Sequence, residues 1–471
     1  MNISSLIKHG FWATYGAFAT RFLGLFSNLM LARLLTPSEF GVIGTAYIFW
    51  SFVNLFTQGS VGEFIIYKGT EDKRYLNNTY TVTLGIATVF GLTLAAASPF
   101  IANFFSVPVL MWILFVFAGN FLLSSLYWFF SGVMTRQMQY KQLANTNMIA
   151  SLVRVFVTVG SALAGLSYWS FVIGDVASSV TGCVLMSKQI KHKFQLQFDK
   201  EIGNEVLSYC LGATGSSFGY YVNANCDNLI VGKILGTTSL GFYNFAYQGT
   251  MTLTTVFGQV IDQIGMSVFA QLPDEKQQEK ALARSLEQIA FLAAPMYGLL
   301  LLMIDQQTIT LIFGDKWLPI IPIIPGLVVF AYFRLLNRLL SAMLSAKGRP
   351  DVNAKVNLVI APIALLSFFI GATHLGMIGV SIAVAVVLGF GWTTYWWWVG
   401  CHEFNWSVKK FLILCFLPVF VALPAIKIAY FLPLVLKPIT FIALYGVGIF
   451  ILSMLKIINL NHIFKLNFKN P

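Results

Sequence analysis

Charge is what this chain has least of. Of its 471 residues only 10% are Asp, Glu, Lys or Arg, against about 25% in soluble globular proteins. No ordinary water-facing surface can be assembled from that inventory, which excludes a soluble globular protein. Cysteine is scarce too. Cys183, Cys210, Cys226, Cys401 and Cys415 lack metal-ligand spacing and fall mainly within or beside apolar stretches, so they imply neither a disulfide framework nor a zinc site. The five histidines contain no pair at metal spacing. The stretch "GATGSSFG" lacks the Gly-Lys-Ser/Thr ending and the preceding strand of a phosphate-binding loop.

What is abundant is hydrocarbon. Hydrophobic residues make up 57% of the chain, the mean hydropathy is +0.75, and apolar stretches of membrane-crossing length recur from end to end. About 20 such residues cross the roughly 30 Å of a bilayer interior. The chain therefore reads as an all-α, multi-pass membrane protein. Its first apolar run, "GFWATYGAFATRFLGLFSNLMLA", is too long for a signal peptide, holds Arg21 at its middle and lacks a convincing cleavage site, so it is expected to be the first span.

Hydropathy predicts fourteen helices, over about 9–32, 40–67, 79–98, 108–130, 145–165, 168–187, 207–232, 240–270, 286–311, 319–346, 353–373, 376–399, 408–430 and 434–457. The longest connections are the polar stretches near 188–206 and 272–285, and no soluble domain is expected. With the N-terminus in the cytoplasm, the inner segments carry 21 basic residues and the outer ends only Arg33, Lys316, Lys427 and Lys437. That bias places both termini in the cytoplasm. It also explains the net charge of +12 through anionic headgroups rather than nucleic acid.

One joint is written twice. "LLTPSEFGVIGTAY" at 34–47 returns as "ILGTTSLGFYNFAY" at 234–247. Sliding residues 12–47 by 200 gives nine identities in 36 positions, among them Asn28/Asn228, Gly41/Gly241 and Tyr47/Tyr247; apolar composition alone gives roughly two or three. Six helices separate the copies, so both halves enter the membrane the same way up. The expected organisation is a six-helix lobe over 1–190, a linker over 191–206, a second six-helix lobe over 207–400 related by a pseudo-twofold axis along the membrane normal, and two further helices with a tail over 401–471.

The repeat carries polar residues at matching depth. Thr14, Arg21 and Asn28 form one stripe; Thr214, Tyr221 and Asn228 form the equivalent one, joined by Ser217 and Asn225. Such a face cannot lie against lipid tails. It serves either a wet cavity or polar packing between helices. Arg21 favours the cavity, because a cation near the bilayer centre costs about 2.5–3.5 kcal/mol even on a lenient scale. Arg154 lies mid-span, and Arg334 and Arg338 lie four apart on one face of a later helix. Glu63, Asp175, Asp227 and Asp262 are the acids within spans, with Asp305 near an outer end, and each has the option of simply neutralising an arginine. Arginine forks suit phosphate oxygens, so an anionic, phosphate-bearing headgroup is the expected cargo. "YWWWVG" at 395–400 reads as an aromatic belt at the cytoplasmic interface.

"LARLLTPSEFGVIGTAYIF", "DNLIVGKILGTTSLGFYNFAYQ", "GDKWLPIIPIIPGLVVF", "SAKGRPD" and "HLGMIGVSIAV" resemble the polysaccharide (Wzx-type) flippases for O-antigen, capsule and exopolysaccharide repeat units. These belong to the superfamily that includes MATE-type multidrug exporters and the lipid II flippase, and the resemblance runs from about residue 8 to 400. It implies two six-helix lobes plus a C-terminal pair, a central cavity, and movement of undecaprenyl-diphosphate-linked oligosaccharide from the cytoplasmic to the periplasmic leaflet of the bacterial inner membrane, without catalysis. Polysaccharide polymerase and assembly machinery are its implied partners. On this reading Arg21, Arg154, Arg334 and Arg338 replace water around the diphosphate, while Asn28, Tyr221, Asn225 and Asn228 bind sugar hydroxyls. Arg33 and Lys233 flank the exit. No cofactor is expected; proton or sodium coupling would fall to Asp227, with Glu63 and Asp262 as alternatives. Many relatives carry an acid near the end of the second helix where this chain has Gln58, with Glu63 five residues later, which puts a carried-over coupling role for that helix in doubt. The competing classes are a multidrug exporter, which calls for a carboxylate-rich cavity, and a glycan polymerase or ligase, which calls for a large outer loop.

Overall fold

A computed structural model of the chain describes residues 3–455, apart from positions 59, 262–264, 266, 267, 270, 273 and 435. The expected ion-coupling residue Asp262 and the tail from 456 onward lie outside the described residues. Among the described residues the regular structure is entirely helical, and nine helical segments are long and apolar enough to cross a membrane. Contacts divide the chain into two compact units, 1–242 and 243–471.

The first unit contains α1 (Ile3–Leu34), α2 (Pro37–Asn54), α3 (Ser60–Lys68), α4 (Lys73–Phe105), α5 (Val109–Arg136), α6 (Tyr140–Leu163), α7 (Trp169–Gln189) and α8 (Lys200–Ile230). A π-helical turn follows, and α9 (Gly236–Val260) straddles the division. The second unit contains α10 (Glu275–Met303), α11 (Gln306–Ile312), α12 (Ile324–Ala346), α13 (Pro350–Ala383), α14 (Trp392–Glu403), α15 (Val408–Tyr430) and α16 (Leu436–Met454).

Local chemistry sets these boundaries. Thr36 caps α2 in a capping box: its hydroxyl accepts from the Glu39 amide, and Glu39 Oε2 accepts from the Thr36 amide at 2.6 Å, with Pro37 at the first helical position. The Ser167 hydroxyl also donates to Glu39, tying the start of α2 to the turn before α7. The helix expected over 40–67 is two helices, the first ending at Asn54 and the second beginning at Ser60. At the break Asn54 Nδ2 donates to the Trp50 carbonyl (2.9 Å), while its Oδ1 accepts from Ser124 of α5 (2.8 Å). Such back-bonding bends a helix. The stretch 272–285, expected to be a connection, is largely helical, because Asp274 caps α10 at the amides of Lys276 and Gln277. The span expected from 319 opens as a 3₁₀ helix over Asp315–Ile323, where Pro319 and Pro322 cannot donate an α-helical bond. Within α13 two helices meet at Gly376, whose φ of 61° suits glycine.

The linker is docked along α4 rather than loose. Asn77 Oδ1 accepts from the Gln195 amide (3.3 Å) and contacts His192 Nε2 (3.0 Å). Thr81 accepts from the Gln197 amide (3.0 Å), and Asn78 Oδ1 from the Asp199 amide (2.5 Å). Phe194 stacks on Tyr80 at 5.3 Å. Asp199 then caps α8, which begins at Lys200, inside the segment expected to be linker. Helix α8 packs on α2, α3 and α4, so the first unit reaches beyond the linker.

Two groups make this docking pH-dependent in one direction. Backbone amides of Ile202 and Glu201, with Arg74, hold the Asp199 carboxyl below its ordinary value. Partial burial, with Lys73 nearby, holds His192 below its ordinary 6.5. A group whose folded pKa is depressed stabilises the fold above its unfolded value and loses that contribution as pH falls. Acidification should therefore loosen the linker, first as pH drops below about 6.5 and again through the carboxylate range. A nitroxide at Leu196→Cys, an exposed position, should gain mobility between pH 7.5 and pH 3; an unchanged spectrum would contradict this pH dependence.

Each unit has its own core. In the first, Val61, Phe64, Leu76, Phe129, Met134 and Val206 pack together. In the second, Trp317, Phe330, Phe333, Trp397, Phe411 and Phe441 are fully buried. The outer surface is apolar: Phe100, Phe156 and Leu358 are 76%, 74% and 72% exposed. In water each would forfeit about 1.5–3 kcal/mol, whereas lipid tails solvate them. The chain is a multi-pass membrane protein.

The two joints touch one another inside the first unit. A Cβ on Gly41 would strike the Thr237 carbonyl and lie 3.0 Å from the Gly241 amide nitrogen; a Cβ on Gly241 would strike the Pro37 carbonyl and lie 3.0 Å from the Gly41 nitrogen. Adding 200 to one partner and subtracting 200 from the other turns either contact into its counterpart. This reciprocity is that of a twofold contact, as the duplication predicts.

Candidate functional site

Four helices of the first unit each turn a stripe of polar or aromatic residues inward at spacings of three, four or seven. The stripes are Tyr47 and Trp50 on α2, Asn120, Ser124 and Tyr127 on α5, Asn147, Ser151 and Arg154 on α6, and Asp175, Ser178 and Ser179 on α7. Helices α5, α6 and α7 pack on one another, and α1 lies along α6, adding Thr20. The stripes converge on a cavity of about 370 Å³.

An ion pair stands at one end. Arg154 Nε donates to Asp175 Oδ1 at 2.5 Å, the Tyr47 hydroxyl donates to Asp175 Oδ2 at 2.6 Å, and Arg154 Nη2 donates to the Tyr47 oxygen at 3.2 Å. The Asp175 side chain is 14% exposed and that of Arg154 41%. Tyr127 donates to Asn147 Oδ1 at 2.7 Å. Asn120 differs from these: it is 3% exposed, and neither atom of its amide has a hydrogen-bond partner among the described residues. A buried polar group left in that state costs about 1–3 kcal/mol.

The second unit repeats part of this arrangement. Tyr47 stacks on Phe117 at 5.8 Å, and its equivalent Tyr247 lies 6.4 Å from Phe330. Arg334 Nη1 donates to the Tyr247 hydroxyl at 3.0 Å and lies over the Phe330 ring. Arg338, one turn on, packs against Gly258. Between them Asn337 is buried, donating to Thr393 (2.9 Å) and accepting from the Trp397 indole (3.2 Å). Trp397 and Trp396 are therefore core residues rather than an interfacial belt.

The other predicted site residues among those described lie apart from the cavity lining. Arg21 and Asn28 are half-buried on α1, and Arg33 is exposed at its last turn. The Tyr221 hydroxyl donates to the Ile48 carbonyl at 2.7 Å, and Asn225 donates to the Tyr221 carbonyl at 3.0 Å. Asp227 and Asn228 are buried, with both Asn228 nitrogens donating to Asp227 Oδ1. Lys233 donates to the Phe104 carbonyl at 2.6 Å, satisfying the end of α4. Glu63 is exposed on α3. Arg154 is thus the one predicted residue in the cavity lining, and its charge is matched by Asp175. Reading the sequence for charge missed Tyr47, Asn120 and Asn147; the polar stripes were the signal that pointed to them. Among the described residues no cluster of three or more His, Cys, Asp or Glu could hold a metal ion.

Comparison with known proteins places this geometry. The lipopolysaccharide biosynthesis protein WzxC of Escherichia coli (strain K12) is 21% identical over 418 residues, covering 88% of this chain and 85% of that protein. The teichuronic acid biosynthesis protein TuaB of Bacillus subtilis (strain 168) is 22% identical, covering 85% of this chain and 81% of that one. Among solved structures, the lipid II flippase MurJ in an inward closed conformation superposes with a TM-score of 0.75 at 13% identity, over 95% of this chain and 99% of MurJ. An inward-facing multidrug resistance MATE family transporter gives 0.64 at 15% identity, over 83% and 96%. These two share the fold. The model of the polysaccharide biosynthesis protein family matches residues 30–322, more than half of the sequence, and the chain belongs to that family.

Proposed function

We infer that this chain carries a lipid-linked saccharide across the bacterial inner membrane by alternating access, for surface-polysaccharide biosynthesis. The observation that carries the reading is the paired one: an arginine rests on the hydroxyl of Tyr47 in one unit and of its repeat equivalent Tyr247 in the other, inside helices whose outer faces suit lipid. An arginine within a span is costly without water, an anion or a carboxylate; Arg154 has its carboxylate in Asp175, and a cargo with an anionic head suits the guanidinium of Arg334. The names of the relatives agree: lipopolysaccharide and teichuronic acid biosynthesis, succinoglycan transport in Rhizobium meliloti, and a lipid II flippase.

The finer reading is as follows. The chain has fourteen spans and cytoplasmic termini. The cargo is an undecaprenyl-diphosphate-linked oligosaccharide whose polyprenyl tail stays in lipid, and a polymerase and its assembly machinery take it onward. Arg21, Arg334 and Arg338 meet the diphosphate; Arg154 is already neutralised by Asp175 and so contributes hydrogen bonds rather than net charge. Asn28, Tyr221, Asn225 and Asn228 meet sugar hydroxyls, and Arg33 and Lys233 flank the exit. Asp227, buried beside Asn228, is the site for proton or sodium coupling.

Arg21→Ala and Arg334→Ala should each slow outward movement of lipid-linked oligosaccharide about tenfold or more, the loss of one charge-assisted hydrogen bond of about 1.5–3 kcal/mol. The measurement follows labelled cargo at each membrane face at matched expression. Normal transport by both variants would reject the arginine cradle.

A further inference from the structure

The cavity of the first unit carries no surplus charge. Among the described residues, Arg154 and Asp175 are the only charged ones lining it, and they neutralise one another. A diphosphate site would present unmatched cations, and an organic-cation site unmatched carboxylates. Here the polar lining is carboxamide and hydroxyl, chiefly Asn120, Asn147 and Ser151, and the apolar lining includes the indoles of Trp50 and Trp128. That combination suits a neutral sugar. Sugar hydroxyls both donate and accept, matching amides and serines, and the C–H face of a pyranose lies against aromatic rings. The volume of about 370 Å³ falls within the range of about 300–1,000 Å³ for small-molecule sites.

Asn120 is an independent indication. Buried at 3% exposure and lining the cavity, it offers two donors and an acceptor that none of the described residues uses. A purely structural position would be filled better by leucine of similar size.

We propose that this cavity binds one uncharged sugar residue, a hexose or N-acetylhexosamine. The source of that sugar, the glycan of the cargo, rests on the carrier reading above. The site is separate from the asparagine and tyrosine residues of α1 and α8, none of which lines it.

The test uses the full-length protein in detergent, with saturation-transfer NMR of glucose, galactose and N-acetylglucosamine, and with glucuronate and inorganic pyrophosphate as competitors. At least one neutral sugar should bind. Asn120→Leu and Ser151→Leu should each weaken it about tenfold, and pyrophosphate should not displace it. Asn120→Leu removes an unpartnered amide, so its melting temperature should equal or exceed that of the parent. Ser151→Leu fills the cavity from a different helix and tests the site independently of Asn120. Absence of neutral-sugar binding, retention of it by a folded variant, preference for glucuronate, or displacement by pyrophosphate would each overturn the proposal. Cargo movement without sugar binding overturns this site and leaves the carrier reading standing. Sugar binding that the variants lose, in a protein that moves no cargo, supports the site and overturns the carrier reading.

Discussion

Asp175→Ala should destabilise the folded chain by about 3 kcal/mol. Removing one partner of a buried ion pair typically costs about 3–5 kcal/mol, because the other charge is left without compensation. The low end applies here, since the Arg154 side chain is 41% exposed and partly hydrated. Two donors lose their acceptor at once, the Arg154 guanidinium and the Tyr47 hydroxyl. Helix α7 thereby loses these polar ties to α6 and α2. Tyr47→Phe removes only the hydroxyl and should cost about 1 kcal/mol. Arg154→Met combined with Asp175→Leu should recover most of the loss, as an apolar pair of similar volume often does. The five buried free cysteines provide the readout: a thiol-reactive fluorophore reports their exposure as the protein melts. If Asp175→Ala melts with the parent, the pair does not hold these helices together.

The legible parts of the sequence were those governed by neighbours along the chain. The span expected at 408–430 is α15, Val408–Tyr430, because a continuous apolar run ended by turn residues has one solution in a membrane. The pairing of Arg154 with Asp175 was open to the sequence as one option, since both fall within spans and neither can stand alone in hydrocarbon. The capping box at Thr36–Glu39 is written out as "TPSE", a Ser/Thr-x-x-Glu pattern with proline at the first helical position, and would have fixed the start of α2.

What was not legible depends on partners far away. The interruption between α2 and α3 rests on Asn54 bonding to Ser124, 70 residues away. The burial of Trp397 rests on Asn337, 60 residues away; without that partner a tryptophan cluster near a span end reads as an interfacial belt. The polar stripes of α5, α6 and α7 are visible one at a time. That they face one another is a property of packing, and no periodicity in a single helix contains it.

Gly41→Val, or equally Gly241→Val, should abolish the close approach of the two joints and reduce outward transport more than tenfold. Each glycine lies where a side chain would run into the backbone of the other copy: the Thr237 carbonyl for Gly41, the Pro37 carbonyl for Gly241. Backbone cannot rotate away as a side chain can, so relief requires the helices to part. Overpacking of this kind costs about 1–3 kcal/mol at a tight contact. Because the two contacts are related by the same 200-residue offset, either substitution alone separates the same pair of segments. The double variant should therefore be no worse than either single one, a strong departure from additivity. Three measurements suffice: melting temperature, cargo movement, and labelling of Ser38→Cys by an impermeant thiol reagent, which should rise in both single variants. Additive losses in the double variant, or unchanged labelling, would show that the two copies of the joint do not work as one contact.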